Sequence, residues 1–186
     1  MKIFLGVSAL VLGLAACGDN KARFLINTTE TATQTRLRVA SIEVRDVSLP
    51  AYASASEIVV EQADGALKPV AKALWADDPV RGVTGALARS LAAKSTATVS
   101  AEPWPLADGP AVQLEVRVDQ MVAGADGNFR LTGQFALSSP QGQVRDSLTR
   151  FALSVPLADT SPGAVAVSTG KAIDGLADDV LRKLRR

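Results

Sequence analysis

The chain has 186 residues, with 20 Lys and Arg against 19 Asp and Glu, no histidine and a single cysteine. The missing histidine excludes a Ser-His-Asp triad, a Cys-His dyad and a Cys/His zinc site, and one cysteine excludes an internal disulfide. The charges nearly balance, unlike the basic stripe of nucleic-acid-binding proteins, so we expect no nucleic acid among the partners.

The N-terminus has the pattern of an export signal. Lys2 is followed by an apolar run from Ile3 to Leu14. That run is shorter than the roughly 20 residues of a membrane-spanning helix. It ends in "LAACG", which resembles the bacterial lipobox, where the signal is cleaved before the cysteine and the cysteine is acylated. We therefore expect residues 1–16 to be removed and Cys17 to carry lipid.

The residues after Cys17 indicate where the anchor places the protein. In enterobacterial lipoproteins, an Asp directly after the cysteine favours retention in the inner membrane, and here that position holds Gly18. We expect an outer-membrane lipid anchor with the domain facing the periplasm. Residues 17–23 are then the lipidated N-terminus and short tether, and residues 24–186 form a single domain.

The sequence pattern of the first part of that domain predicts strands. The segment Arg23–Ile26 opens a first strand, and Arg36–Val47 alternates with one break in parity, which indicates a bulge or an exposed half. Leu49–Tyr52 predicts an extended turn. Ser56–Gly65 predicts a strand that ends in an Asp-Gly turn.

Two amphipathic helices are predicted, each with its own start signal. Asp77 or Asp78 caps the first before Pro79, and Ser161 caps the second before Pro162. The apolar positions that recur at helical spacing are Val80, Val83, Leu87 and Leu91 in the first helix, and Ile173, Leu176, Val180 and Leu184 in the second.

Three strands between the helices predict an antiparallel meander. Val112–Val122 and Phe129–Leu137 alternate apolar and polar residues around the turn "GADGN", and Val144–Val155 follows the turn "PQGQ". Such strands bury one face and expose the other. The whole pattern predicts an α+β fold: a two-layer sandwich with a mainly antiparallel sheet and two amphipathic helices packed on one face.

Three motifs have the spacing of catalytic groups, and we interpret all of them as structural. Ser168 and Lys171 fit Ser-x-x-Lys, but the partner motifs of acyl-enzymes are missing. Gly170-Lys171 resembles the end of a phosphate loop, but Ala172 replaces the Ser or Thr that holds magnesium. The third motif is a pair of carboxylates, which occurs as Asp77-Asp78 and as Asp178-Asp179. Glycosidases need two carboxylates that converge across a cleft, whereas these are adjacent in the sequence. We therefore predict no enzyme, no cofactor and no metal site.

Five segments in a fixed order resemble one family. They are "LPAY" (Leu49–Tyr52), "EIVV" (Glu57–Val60), "LWADDPVRGVTGALARSLA" (Leu74–Ala92), "PWP" (Pro103–Pro105) and "VQLEVRVDQMVAGADGNFRLTGQFAL" (Val112–Leu137). Together with the lipobox and the C-terminal helix, they resemble the ABC-type transport auxiliary lipoproteins, the PqiC-like group.

The resemblance implies a function without catalysis. It implies an outer-membrane-anchored subunit of an envelope transport system, with an MCE-domain protein and an ABC permease and ATPase as partners. The cargo would be phospholipid or another hydrophobic molecule, and a homo-oligomer is compatible with this role. The alternatives are an assembly factor or plug for an outer-membrane machine, and a hydrolase that uses Ser168 and Lys171.

Tyr52, Trp75 and Trp104 are candidate contacts to a partner or to cargo. Each lies beside a proline or at the boundary of a predicted element. Trp and Tyr are enriched at binding hot spots. The other interpretation, which we favour, is that these aromatic side chains fill the gap between helix and sheet.

Overall fold

The computed structural model describes residues 20–28 and 34–185. Within those ranges the chain forms one eight-stranded sheet and three helices, which confirms the predicted α+β class. The strands are β1 (Ala22–Phe24), β2 (Ser41–Val44), β3 (Glu57–Glu61), β4 (Leu67–Trp75), β5 (Thr98–Ala101), β6 (Val112–Ala123), β7 (Asn128–Ser138) and β8 (Ser147–Pro156). The helices are α1 (Ala51–Ser54), α2 (Pro79–Lys94) and α3 (Pro162–Leu184).

Strands β6, β7 and β8 form the predicted antiparallel meander. Phe135 on β7 is paired with Val116 on one side and with Thr149 on the other. Alternate side chains of β7 are buried, as the pattern predicts. The register shifts between Val118 and Gln120, so Asp119 forms a bulge and the buried face of β6 continues at odd-numbered positions.

The other edge of β6 carries two strands, one after the other. Ile42 of β2 is paired in parallel with Val112, and Val60 of β3 is paired in parallel with Ala123. The sheet therefore branches at β6: β5 continues one branch beyond β2, while β4 and β1 continue the other beyond β3. The antiparallel registers are longer than these parallel ones.

The structure shortens the strand predicted at Arg36–Val47 to the four residues of β2. Beyond β2 the chain still follows the edge of β6, because the Arg45 N–H donates to the Leu114 carbonyl at 2.9 Å and the Ser48 N–H to the Val116 carbonyl at 3.0 Å. The break in the alternation of apolar and polar residues therefore corresponds to the point where β2 ends and the chain continues irregularly along β6.

Three elements differ from the sequence interpretation. In place of an extended turn over Leu49–Tyr52, the backbone turns into α1, with the Ala53 and Ser54 N–H groups bonded to the Pro50 carbonyl. Strands β4 and β5 have no counterpart among the predicted elements. Strand β4 contains Pro69, which cannot donate a ladder hydrogen bond, and its first six residues are not buried.

Both long helices start where the capping signals predict. The Asp78 carboxylate accepts a hydrogen bond from the Arg81 N–H at 3.0 Å, and the Ser161 hydroxyl accepts one from the Ala164 N–H at 3.3 Å. No helix in the described ranges is long and apolar enough to cross a membrane.

The two long helices cover one face of the sheet. Their apolar faces join the inward side chains of β6, β7 and β2 in one buried cluster, which confirms the two-layer arrangement. The largest fully buried side chains are Phe129, Phe135, Ile42, Ile58, Leu87, Leu91, Leu114, Leu131, Ile173 and Leu176.

Residues 22–28, here called the strap, run from the edge of the sheet onto α2 and α3. A Cβ atom on Gly163 would lie 3.9 Å from the Phe24 ring, and one on Gly82 would lie 3.6 Å from Ile26. A Cβ atom on Gly170 would lie 1.8 Å from the Asn27 carbonyl oxygen. Glycine is therefore required at position 170 for the strap to pack against α3.

Candidate functional site

The predicted lipid attachment at Cys17 lies outside the described residues. Strand β1 begins at Ala22, five positions after Cys17, so the final part of the predicted tether belongs to the sheet. A chain of that length spans at most about 17 Å. The strap is thus the part of the described fold that is held closest, along the chain, to the predicted anchor.

Trp75 lines a groove beside the strap. The groove has a volume of about 210 Å³ and runs between the strap and the first turns of α2. Trp75 is only 5% exposed and belongs to the core, whereas Leu25, which also lines the groove, is 61% exposed. The geometry makes Leu25 more accessible to a partner than Trp75.

Tyr52 occupies the branch of the sheet. Its hydroxyl accepts a hydrogen bond of 3.1 Å from the Met121 N–H, in the stretch of β6 between the pairing with β2 and the pairing with β3. The side chain is half-buried against the core. This position gives Tyr52 a structural role: it satisfies a backbone donor that neither neighbouring strand reaches.

Trp104 lies in the loop between β5 and β6. Its indole N–H donates to the Asp108 carbonyl at 2.7 Å, and its backbone N–H donates to the buried Glu43 carboxylate at 3.1 Å. The ring borders a cleft of about 540 Å³ together with Leu106, which is 56% exposed. Trp75 and Trp104 both line openings, but only Trp104 of these two lies outside the buried core.

A second cleft at the same end of the molecule is cationic. It has a volume of about 360 Å³, and its lining includes three cationic residues, Arg38, Arg145 and Lys183, against one acidic residue, Asp146. Gln143 borders both clefts, so they adjoin. We call the two clefts together the distal surface.

The interior contains a polar cluster between α2 and α3. Ser90 donates to the Asp174 carboxylate at 2.6 Å, and the Lys94 ammonium donates to the Asp174 carbonyl at 2.9 Å and to Asp178 at 2.8 Å. Ser90, Lys94 and Asp174 are buried between the helices, and Asp178 closes the cluster at the surface with a side chain that is 58% exposed. The cluster therefore stabilises the packing of α2 against α3.

The surface ion pairs lower the pKa of several carboxyl groups. The Arg130 guanidinium donates a hydrogen bond to Glu61, and this bond holds the pKa of Glu61 below its ordinary value. The Arg81 guanidinium lowers the pKa of Asp77 in the same way. These carboxylates are therefore ionised at neutral pH and are not suited to act as proton donors.

The motifs with catalytic spacing take structural positions. Ser168 is 3% exposed and its hydroxyl lies 3.5 Å from the Pro156 carbonyl oxygen, whereas Lys171 is exposed. Asp78 caps α2 and Asp178 pairs with Lys94. In the described ranges, no group of three His, Cys, Asp or Glu residues is arranged to hold a metal ion.

Sequence reasoning missed the polar cluster and the contact at Gly170. A usable signal for the first was present, because Ser90 and Lys94 are four residues apart on the apolar side of one helix and Asp174 and Asp178 are four apart on the other. Two such polar pairs on faces that are otherwise apolar predict a buried cross-helix network. The contact at Gly170 has no comparable signal, since it depends on the path of the strap.

Comparison with known proteins identifies the fold and the sequence class. Residues 25–181 match the sequence model of the ABC-type transport auxiliary lipoprotein component. No curated protein matches this chain in sequence. A crystal structure of an uncharacterized protein is similar with a TM-score of 0.66 and 18% identity, over 83% of this chain and 99% of that one. A Xanthomonas campestris crystal structure, assigned to DUF330, is similar with a TM-score of 0.61 and 16% identity, over 85% of this chain and 89% of that one.

Proposed function

Because the chain belongs to the family of ABC-type transport auxiliary lipoproteins, we propose that it is a non-catalytic subunit of an envelope transport system, anchored in the outer membrane by lipid on Cys17. Its partner is an MCE-domain protein that works with an ABC permease and ATPase, and the cargo is phospholipid or another hydrophobic molecule. The family match over most of the domain is the observation that carries this proposal.

The placement of the motifs with catalytic spacing, all of which lie in the described residues, supports a non-catalytic role. Ser168 and Lys171 differ in exposure, and the carboxylates of Asp77, Asp78 and Asp178 are engaged by Arg81, the start of α2 and Lys94. In the described part of the chain these side chains stabilise the fold. The domain then acts through its surfaces.

The arrangement of α3 separates two ends of the domain. Gly175 of α3 lies next to Leu153 of β8, and residues 182 and 183 lie beside Thr149 and Arg150, so α3 runs antiparallel to β8. A helix of 23 residues is about 35 Å long. The strap lies at the start of α3 and the distal surface at its end, so an anchored domain presents the distal surface away from the tether.

We assign partner docking to the distal surface. Trp104 and the exposed Leu106 supply apolar area beside one cleft, and Arg38, Arg145 and Lys183 supply positive charge in the next. An aromatic side chain next to arginine is the composition of many binding hot spots. Tyr52 and Trp75 stay in structural roles under this proposal.

Photo-crosslinking in living cells tests the proposal. A benzoylphenylalanine at Leu106 reports on the distal surface, and one at Leu67, an apolar residue of β4 that is 40% exposed, is the matched control. We expect Leu106 to crosslink to an MCE-domain protein and Leu67 not to do so. Crosslinks from Leu106 only to a barrel-assembly or lipopolysaccharide-export protein would overturn the proposal in favour of an assembly factor.

A further inference from the structure

Two exposed apolar side chains lie at the tethered end of the domain. Leu25 on the strap is 61% exposed, and Val167 on α3 is 56% exposed. Val167 lies between Gly163 and Gly170, one helical turn from each, and both glycines face the strap. Leu25 and Val167 therefore flank the same seam between strap and helix.

Positive charge surrounds that seam. Arg23 on β1, Arg89 on α2 and Lys171 on α3 are all exposed, and the Arg89 guanidinium lies 3.5 Å from the Ile26 carbonyl oxygen of the strap. The two carboxylates of the adjoining groove are both engaged, Asp77 by the Arg81 guanidinium and Asp78 by the Arg81 backbone N–H. The seam thus presents apolar and cationic side chains together, the composition that favours contact with an anionic lipid surface.

The length of the tether limits how far this seam can be from the membrane. Ala22 comes five positions after Cys17, and this stretch of chain spans at most about 17 Å. Leu25 and Arg23 belong to the next few residues of the chain. A lipid anchor on Cys17 therefore holds the seam near the headgroups at high effective concentration, so even a weak attraction orients the domain.

We propose that Leu25, Val167, Arg23, Arg89 and Lys171 form a membrane face that rests on an anionic phospholipid bilayer. The inference depends on the proposed anchorage at Cys17 and extends it from a point of attachment to an oriented surface. An oriented domain points the distal surface into the periplasm, whereas a freely rotating one presents every side to a partner.

Site-directed spin labelling of the full lipidated chain in vesicles tests this surface. Cys17 is the only cysteine and its sulfur is acylated under the proposal, so an introduced cysteine is the only free thiol. The labelled variants are Leu25→Cys and Val167→Cys, with Leu148→Cys as control, because Leu148 is 66% exposed on β8 near the distal surface. Co-flotation with vesicles and mass spectrometry of the N-terminal peptide report separately on the anchor.

In vesicles of phosphatidylcholine with phosphatidylglycerol, we expect the labels at Leu25 and Val167 to be at least threefold less accessible to a water-soluble nickel reagent than in detergent. The label at Leu148 should not change. Adding Lys171→Glu to the Val167→Cys variant should restore accessibility in these vesicles.

The possible failures differ in what they overturn. Flotation with equal accessibility at all three labels overturns the membrane face and leaves the anchor standing. An unmodified Cys17 with no flotation overturns both. Protection of Leu25 and Val167 that requires envelope proteins in addition to lipid assigns this surface to a protein partner and overturns the membrane face.

Discussion

Ser90 on α2 donates a hydrogen bond of 2.6 Å to the Asp174 carboxylate on α3, and both side chains are buried. One turn later, Lys94 reaches the same carboxylate at 4.0 Å and Asp178 at 2.8 Å. A buried charge is tolerated only when it is paired and hydrogen-bonded. The apolar stripes alone allow several rotations of one helix against the other, and this cluster selects one of them.

Ser90→Ala is expected to lower the free energy of unfolding by about 1–3 kcal/mol, because Asp174 stays buried and loses a donor. Urea unfolding followed by circular dichroism measures the change. Ser154→Ala removes an exposed hydroxyl of β8 and serves as the control, with an expected change below about 0.5 kcal/mol. Equal losses of unfolding free energy in the two variants would show that the buried hydrogen bond contributes no more to stability than the exposed hydroxyl does.

Lys94→Met is expected to be more damaging, with a loss of about 3 kcal/mol, because it leaves Asp174 buried beside an apolar side chain. Lys171→Met is the matched control, since Lys171 is exposed on α3. We expect Lys171→Met to unfold at the same urea concentration as the wild type.

The Lys171→Met variant also tests the structural interpretation of Ser168 and Lys171. A serine-reactive probe that labels the native protein but not Lys171→Met would contradict that interpretation.

The helices and the meander were accessible to sequence reasoning because their signals are local. Asp78 before Pro79 and Ser161 before Pro162 determine where α2 and α3 begin, and the alternation of β7 determines its buried face. The capping pattern needs no knowledge of the rest of the fold.

The branch of the sheet could not be predicted in the same way. Ile42 pairs with Val112, and Val60 pairs with Ala123, although each pair is far apart in the sequence. Nothing in the sequence of β2 or β3 specifies β6 as its neighbour in the sheet. Strand β4 lacks alternation in its exposed first half, so its pattern does not differ from that of a loop. For the candidate site, the aromatic residues were identifiable, but whether each lies in the core or at a cleft depends on these long-range pairings.

Gly170→Ala is expected to displace the strap from α3, because the added methyl group would overlap the Asn27 carbonyl oxygen. Such overpacking typically costs about 1–3 kcal/mol. Hydrogen exchange should increase in residues 22–28 and remain unchanged in β7. Gly109→Ala, where nothing lies within 4 Å of the added Cβ, is the control. Unchanged exchange in the strap would show that the strap does not depend on this contact.

Arg130→Gln is expected to change the pH dependence of stability. The hydrogen bond from Arg130 lowers the pKa of Glu61, so this pair stabilises the folded state above the unfolded pKa of glutamate, about 4.3. That contribution is lost as pH falls through the lower pKa of the folded state. The difference in melting temperature between wild type and Arg130→Gln should therefore be largest at neutral pH and shrink towards pH 2.

Arg117→Gln is the control for that titration, because it removes an exposed arginine of β6 that is not the partner of Glu61. A carbon-detected NMR titration of Glu61 provides a direct measurement. The pKa of Glu61 should rise in Arg130→Gln and not in Arg117→Gln. A pKa that stays low in both variants would rule out Arg130 as its cause.

Tyr52→Phe is expected to cost about 1 kcal/mol, since the Met121 N–H loses its acceptor at the branch of the sheet. The Met121 amide should exchange with solvent faster, while amides of β8 keep their protection. Crosslinking from Leu106 should not change. A loss of crosslinking without a change in Met121 exchange would instead make Tyr52 a residue of the docking surface.

The branching of the sheet has a consequence for how the molecule assembles. Both β2 and β3 pair with β6, which is synthesised about 60 to 70 residues after them. As the chain is synthesised, its first half thus lacks the template that would order it, while the later hairpins can close by themselves at once. A polypeptide cut off before position 112 has lost the common edge of both branches, and we expect it to be degraded rather than to persist as a half-sized domain.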